Sequence, residues 1–167
     1  MEQLFSNRME APFGTLYLAA TPKGICRISF SPDDFYPWLF DHVDAVEAVE
    51  REYHLLKHLK VELRKYFSGH LQQFTSPLDV RGTVFQNKVW QAMQAIPYGK
   101  TETYAQVAAT IRVGKGFRAV GTACGANPLP IVIPCHRVVG SHGGFGGYAG
   151  GLPVKEWLLR REGVMLV

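Results

Sequence analysis

Along the first thirty residues the apolar positions alternate, imperfectly, in the manner of strands. Thr15-Leu-Tyr-Leu-Ala-Ala20 is followed by the turn chemistry of Pro22-Lys-Gly24, after which Cys26, Ile28 and Phe30 fall on one face. This predicts a hairpin in a small antiparallel sheet, with Cys26 as a core side chain. Ser31-Pro-Asp-Asp-Phe-Tyr-Pro37 breaks the pattern. From Tyr53 to Phe67 the period becomes helical, through Leu55, Leu56, Leu59, Leu63, Tyr66 and Phe67, until Ser68-Gly69 stops it. Residues 70–82, with Pro77 and Gly82 and no sustained period, read as a connector.

The second half begins with helical signals. Thr83 and Gln86 form a capping-box pattern opening a helix over Val84–Ile96, closed by Pro97-Tyr-Gly99. Thr103 and Gln106 repeat the pattern ahead of Tyr104–Ile111, and Val113-Gly-Lys-Gly116 turns the chain into a helix over Phe117–Gly125. Two short helices joined by a tight glycine turn match a helix-turn-helix, although helical hairpins in general share the pattern. Beyond Asn127 the three prolines of Pro128-Leu-Pro-Ile-Val-Ile-Pro134 predict an extended segment. A loop from Gly140 to Gly151 holds seven glycines, and a last amphipathic helix runs from Pro153 to Glu162.

Composition narrows the possibilities. At 167 residues, 47% hydrophobic and 19% charged, the chain can bury a core in one large or two small domains. No stretch approaches the length of a membrane span, and Met1-Glu-Gln-Leu-Phe5 lacks the order of a signal peptide, so a cytoplasmic location is expected. Three widely spaced cysteines, Cys26, Cys124 and Cys135, do not make a disulfide scaffold or a cysteine-rich zinc module. The net charge of +4 conceals a division: residues 1–80 carry −3 and residues 81–167 carry +7. A polyanion is a plausible partner for the second half alone, and an ordinary basic surface is the alternative.

Cys135 is the sharpest chemical feature, delivered by an apolar run, framed by prolines and followed directly by His136. The thiolate is the reactive form of cysteine, and a neighbouring imidazole can promote it. On a strand the two side chains would point to opposite faces, so contact needs a turn or a bridging water. Glu156, on the following helix, could orient the imidazole. A buried cysteine beside a surface histidine also fits the dipeptide. His54 and His58 share a helical face, yet no metal-ligand spacing accompanies them, so no metal is expected. The glycine loop lacks the G-x-x-x-x-G-K-[ST] phosphate cradle.

Taken together, Phe85-Gln-Asn-Lys-Val-Trp90, Ile96-Pro-Tyr-Gly99, Tyr104-Ala-Gln-Val-Ala108, Arg118-Ala-Val-Gly121, Asn127-Pro128, Ile133-Pro-Cys-His-Arg-Val138, Gly147-Tyr-Ala-Gly-Gly151 and Lys155-Glu-Trp-Leu-Leu159 resemble, in order, the O6-alkylguanine-DNA alkyltransferase family. The resemblance covers nearly all of residues 83–163, and the first half is similar only loosely. It implies that Cys135 accepts the alkyl group, that His136 removes the thiol proton through a water with Glu156 hydrogen-bonded behind it, and that Tyr104 protonates the leaving guanine. It further implies that Arg118 fills the vacated stack, with Ala119 and Gly121 giving the close approach of a recognition helix in the minor groove. Asn127 would be the hinge, and Val138, Tyr148 and the Gly147–Gly151 loop would form the base pocket. Ala149 stands where some members have a serine, which leaves backbone N–H groups to serve O6. Cys124 could line the pocket entrance or pack.

The expectation is an α+β protein: a small antiparallel sheet with a helix in an N-terminal domain (1–80), and a helical, winged-helix-like C-terminal domain (81–167). Its function would be repair of DNA by irreversible, single-turnover alkyl transfer from O6-alkylguanine, and also O4-alkylthymine, to Cys135. No cofactor is implied; the partner is double-stranded DNA, with no membrane, and the protein acts as a monomer. A module that recognises alkylated DNA without reacting, and a cysteine hydrolase using Cys135, His136 and Glu156, are the rival readings.

Overall fold

The alternation in the first thirty residues resolves into three strands: β1 (Phe5–Ala11), β2 (Gly14–Thr21) and β3 (Gly24–Ser29), antiparallel in the order β1-β2-β3. The computed structural model describes residues 3–42, 52–141 and 146–165, and the chain divides into two compact units, Met1–Val80 and Arg81–Val167. The alternation is imperfect because β2 is the central strand and is buried on both faces, with Leu16, Leu18, Ala19 and Ala20 all inaccessible. Ala19 joins Cys26 in a core cluster with Leu4, Phe35 and Leu39.

Phe35 and Leu39 belong to α1 (Pro32–His42), which occupies the segment where the sequence suggested a break. The reason is positional. Proline at the first helical position loses no hydrogen bond, the Ser31 hydroxyl accepts from the Asp33 N–H at 3.1 Å, and Asp33 and Asp34 suit a helix N-terminus.

The helix predicted from Tyr53 is α2 (His54–Phe67), packed on the sheet through a buried stripe of Leu56, Leu59, Leu63, Tyr66 and Phe67. One acid interrupts the stripe. Glu62 is buried, and its carboxylate accepts from the Thr75 N–H (2.8 Å) and hydroxyl (3.0 Å) and from the Ser76 N–H (2.9 Å) and hydroxyl (2.5 Å). These bonds pin the connector to α2. The connector then runs beside β3, where the Ile25 N–H donates to Pro77 O and the Asp79 N–H to Ile25 O, each at 2.8 Å.

In the second unit both capping boxes form. Thr83 and Gln86 exchange bonds of 3.1 and 3.0 Å ahead of α3 (Val84–Gln94), and Thr103 and Gln106 exchange bonds of 3.0 and 2.8 Å ahead of α4 (Tyr104–Thr110). The turn after α4 leads into α5 (Phe117–Gly125), and α3, α4 and α5 pack against one another. The Trp90 indole on α3 donates to Ala123 O at 2.9 Å, fixing α5 against α3. Two short parallel strands, β4 (Glu102–Thr103) and β5 (Val138–Val139), bring the start of α4 beside the segment that follows Cys135. The final helix, α6 (Leu152–Arg161), packs on the turn containing Cys135. Among the described residues no helix is long and apolar enough to cross a membrane. Residues 142–145 of the glycine loop lie outside the described residues.

Candidate active site

The segment leading to Cys135 is not an extended strand. The Ile133 N–H donates to Leu129 O at 2.8 Å, closing a tight loop in which Ile131 takes a left-handed φ of +77°. Asn127 holds the loop from inside, its Nδ2 donating to Ile133 O (2.8 Å) and its Oδ1 accepting from the Leu129 N–H (2.9 Å). The prolines disfavour helix, but the Asn127 side chain decides which non-helical path is taken. Residues Cys135–Arg137 then form a single 3₁₀ turn, so that the strand geometry expected to separate Cys135 from His136 does not apply.

The carboxylate behind His136 is Glu162, not Glu156. His136 Nε2 lies 2.7 Å from Glu162 Oε2, with both side chains fully buried. Glu156 sits on the outer side of α6, its side chain 42% exposed, and accepts from Arg160 one turn away at 2.8 and 3.0 Å. Helical phase explains the difference. Lys155, Leu158, Leu159 and Glu162 recur at the spacing of one helical face, and all four are buried; Glu156 is one residue out of phase. An acid in register with the apolar stripe was the available signal.

Glu162 is the hub of this cluster. Its Oε1 accepts from Arg137 Nε (2.8 Å) and the Gly99 N–H (3.1 Å), and its Oε2 accepts from Arg137 Nη2 (3.1 Å) as well as facing His136. Arg137 Nη1 donates to Ile96 O at 2.7 Å, and its guanidinium lies 5.8 Å from the Tyr98 ring centroid. The Ile96-Pro-Tyr-Gly99 motif therefore closes the back of the site. With Nε2–H directed at the carboxylate, His136 Nδ1 carries the free lone pair; it has no hydrogen-bond partner among the described residues.

Burial pushes the Cys135 thiol up to about 11, against the opposing hydrogen bond from Asn127 and the charge of Lys155. The thiol is thus protonated at rest, and reaction requires a base. Burial also holds the His136 imidazole below its ordinary value, outweighing Glu162, and Arg137 and Lys155 act in the same direction as burial. Lys155 is fully buried, donates to Val138 O at 2.7 Å, and is drawn down by burial to about 8.

In front of Cys135 lies a cavity of about 390 Å³. Tyr104, Gly121, Asn127, Tyr148 and Ala149 all line it, joined by Cys124, whose Sγ also packs 3.4 Å from Met93 Sδ. Val138 does not: its side chain is fully buried in the core, and its carbonyl accepts from Lys155. Arg118 and Ala119 lie outside the cavity on the exposed face of α5. Gly146, at φ +68°, forms the wall over Tyr104; a Cβ there would stand 2.5 Å from the tyrosine hydroxyl. Among the described residues no three His, Cys, Asp or Glu side chains group to hold a metal ion.

Comparison with known proteins gives this arrangement its setting. Residues 84–164 match the DNA binding domain, and residues 6–80 the ribonuclease-like domain, of 6-O-methylguanine DNA methyltransferase. The constitutive methylated-DNA–protein-cysteine methyltransferase of Bacillus subtilis is 41% identical over 92% of each chain. Its counterpart in Mycolicibacterium paratuberculosis is 50% identical over 92% of this chain and 89% of that one. The solved O6-methylguanine methyltransferase of Mycobacterium tuberculosis superposes with a TM-score of 0.84 at 34% identity, covering 95% of this chain and 92% of that one. The structure of that organism's OGT in complex with DNA superposes at 0.81. With both family domains matched in order and the proline-framed Cys135 set before a cavity, the chain belongs to the 6-O-methylguanine DNA methyltransferase family.

Proposed function

We propose that the protein repairs DNA by transferring the alkyl group of O6-alkylguanine irreversibly to its own Cys135. The observation that carries this reading is a buried thiol at the floor of a cavity, followed by an imidazole that burial holds below its ordinary proton affinity and that a carboxylate backs. His136 Nδ1 takes the thiol proton through a water. Cys135 Sγ then bonds to the alkyl carbon as the carbon–O6 bond breaks, with the electron pair leaving on guanine. Tyr104, in the cavity wall, gives the departing guanine a proton at N3, and backbone N–H groups near Ala149 serve O6. The thioether has no route to hydrolysis, so each molecule reacts once.

The target carbon is unreachable in a stacked duplex, so the nucleotide must be extruded, at a cost of a few kcal/mol. Arg118, exposed at the start of α5, takes the vacated place, while Ala119 and Gly121 let the helix approach in the minor groove. Asn127 ties the end of α5 to the loop carrying Cys135, and Tyr148 closes the base pocket. The protein acts as a cytoplasmic monomer, and O4-alkylthymine is a second substrate.

Intact-mass analysis after incubation with excess O6-methylguanine duplex tests the reading. One methyl group, about 14 Da, should appear on the peptide containing Cys135, and the reaction should stop at one equivalent. Catalytic turnover would favour a hydrolase, and binding without mass change a recognition module. Arg118→Ala should slow repair of the duplex while sparing free O6-benzylguanine.

A further inference from the structure

We infer that Arg137 is a positioning residue for the acceptor chemistry: by pairing with Glu162 it keeps His136 neutral and able to accept the Cys135 proton. The inference rests on the alkyl-transfer reading above. It starts from a difficulty in the geometry. A carboxylate 2.7 Å from an imidazole, both fully buried, favours the imidazolium. A histidine already charged cannot take a proton from a thiol.

Burial opposes that charge, and Arg137 opposes it further through its own bonds to the carboxylate. Its Nε and Nη2 bond one to each oxygen of Glu162, at 2.8 and 3.1 Å, and the third donor, Nη1, is fixed to Ile96 O at 2.7 Å. The carboxylate is therefore already matched to a permanent cation in the same dry environment. Protonating His136 would place a second cation on it, with Lys155 of α6 adding a third positive group nearby. The groups facing His136 are Glu162 just beyond α6, Lys155 within α6, and Arg137 on its own turn. α3, which packs against the same turn, buries only the uncharged Val89, Trp90 and Met93. The balance leaves Glu162 as a hydrogen-bond acceptor that fixes the ring with Nε2–H inward and Nδ1 free, without making it a resident cation. Lysine, a point charge with no planar fork, would preserve the charge balance but not all three bonds.

The test is the pH dependence of methyl transfer to Cys135 in the full-length protein and in Arg137→Met, Arg137→Lys and Arg137→Met/Glu162→Gln. In Arg137→Met the carboxylate loses its matched cation and His136 gains proton affinity. The acid limb of the rate should then move up by about one pH unit or more, leaving the rate near pH 6 about tenfold or further below its own plateau. The double variant has neither charge, so its limb should return to the wild-type position, even with a lower plateau. Arg137→Lys should hold the limb close to wild type. A folded Arg137→Met whose limb does not move overturns the inference. So that the outcome does not depend on that variant folding, ¹⁵N spectra of the unreacted wild-type protein should show His136 neutral at pH 7, with its proton on Nε2; a protonated ring there overturns the inference equally. A wild-type protein that methylates Cys135 at no pH would defeat the alkyl-transfer reading, whereas the spectra judge Arg137 separately.

Discussion

Each unit is organised around one buried glutamate, and the two are used differently. Glu62 stands in the apolar stripe of α2 and receives four hydrogen bonds from Thr75 and Ser76. Burial alone would raise its proton affinity, yet the Ser76 and Thr75 bonds prevail and hold it below the usual carboxylate range. Its four hydrogen-bond donors are amides and hydroxyls that do not titrate, and the exposed His58 ring, 3.5 Å from Oε1, spends its hydrogen bond on the Thr75 hydroxyl, so the carboxylate serves as a staple between a helix and a connector. Glu162 follows α6 in the same in-phase position, but its partners are Arg137, the Gly99 amide and the titratable ring of His136. In the proposed alkyl transfer, a buried carboxylate becomes part of a proton path because one partner can change charge and another fixes the balance. Burial by itself does not distinguish the two; the partners do.

The sharpest way to break the comparison is to neutralise each acid in turn. Glu162→Gln should cut the rate of methyl transfer by about 10²–10⁴-fold, the range of general acid–base help, in single-turnover assays on methylated duplex. Glu62→Gln should leave that rate within about twofold and appear instead as lost stability, about 2–4 kcal/mol in urea unfolding at neutral pH, because charged acceptors of buried donors are replaced. If Glu62→Gln abolished transfer in a folded protein, the division of roles would fail.

The sign of the pH effect sharpens the point further. Because the folded-state affinity of Glu62 for a proton is depressed, its contribution is complete above the ordinary carboxylate range and is lost as pH falls through the depressed value. Unfolding curves of wild type and Glu62→Gln should therefore converge in acid. A gap that persisted after the carboxylate had titrated would mean packing, and not charge, made the difference.

The two units also differ in charge, −3 against +7, and a DNA partner should feel only the second. Binding to undamaged duplex should weaken with salt at a log–log slope of roughly −0.9 for each phosphate neutralised. Replacing Lys100, Lys115 or Arg112 should flatten the slope, whereas replacing Lys57 or Lys65 should not. The smallest expected effect belongs to Glu156. Its bond to Arg160 is an exposed pair four residues apart on α6, and Glu156→Gln should change neither rate nor stability measurably.

Much of this was legible before the chain was folded. Thr83, Gln86, Thr103 and Gln106 announce two helix starts because a capping box is a local exchange of bonds among residues three apart. The proline-framed Cys135-His136 pair and the order of the motifs around it pointed to the acceptor for the same reason: the information lies within a few residues. The misreadings have a common cause. Ser31-Pro32 reads as a stop or a start depending on whether the following Phe35 and Leu39 find a core, and that core includes Ala19 and Cys26 from other strands. Glu156 and Glu162 are both acids near the end of one helix, and only the packing of α6 on the Cys135 turn selects the in-phase residue.

What the sequence determined by itself was the set of local elements, since periodicity, capping and proline restriction act over short spans, while the ordered motifs that resemble the family singled out Cys135 as the acceptor. What only the tertiary structure decided was the company each buried charge keeps. Arg137 reaches Ile96 and Glu162 at separations of 41 and 25 residues, and His136 reaches Glu162 at 26. Contacts at such separation are fixed by how α3, α6 and the Cys135 turn pack, and no local pattern encodes them. The electrostatics that make a buried thiol usable follow from that packing.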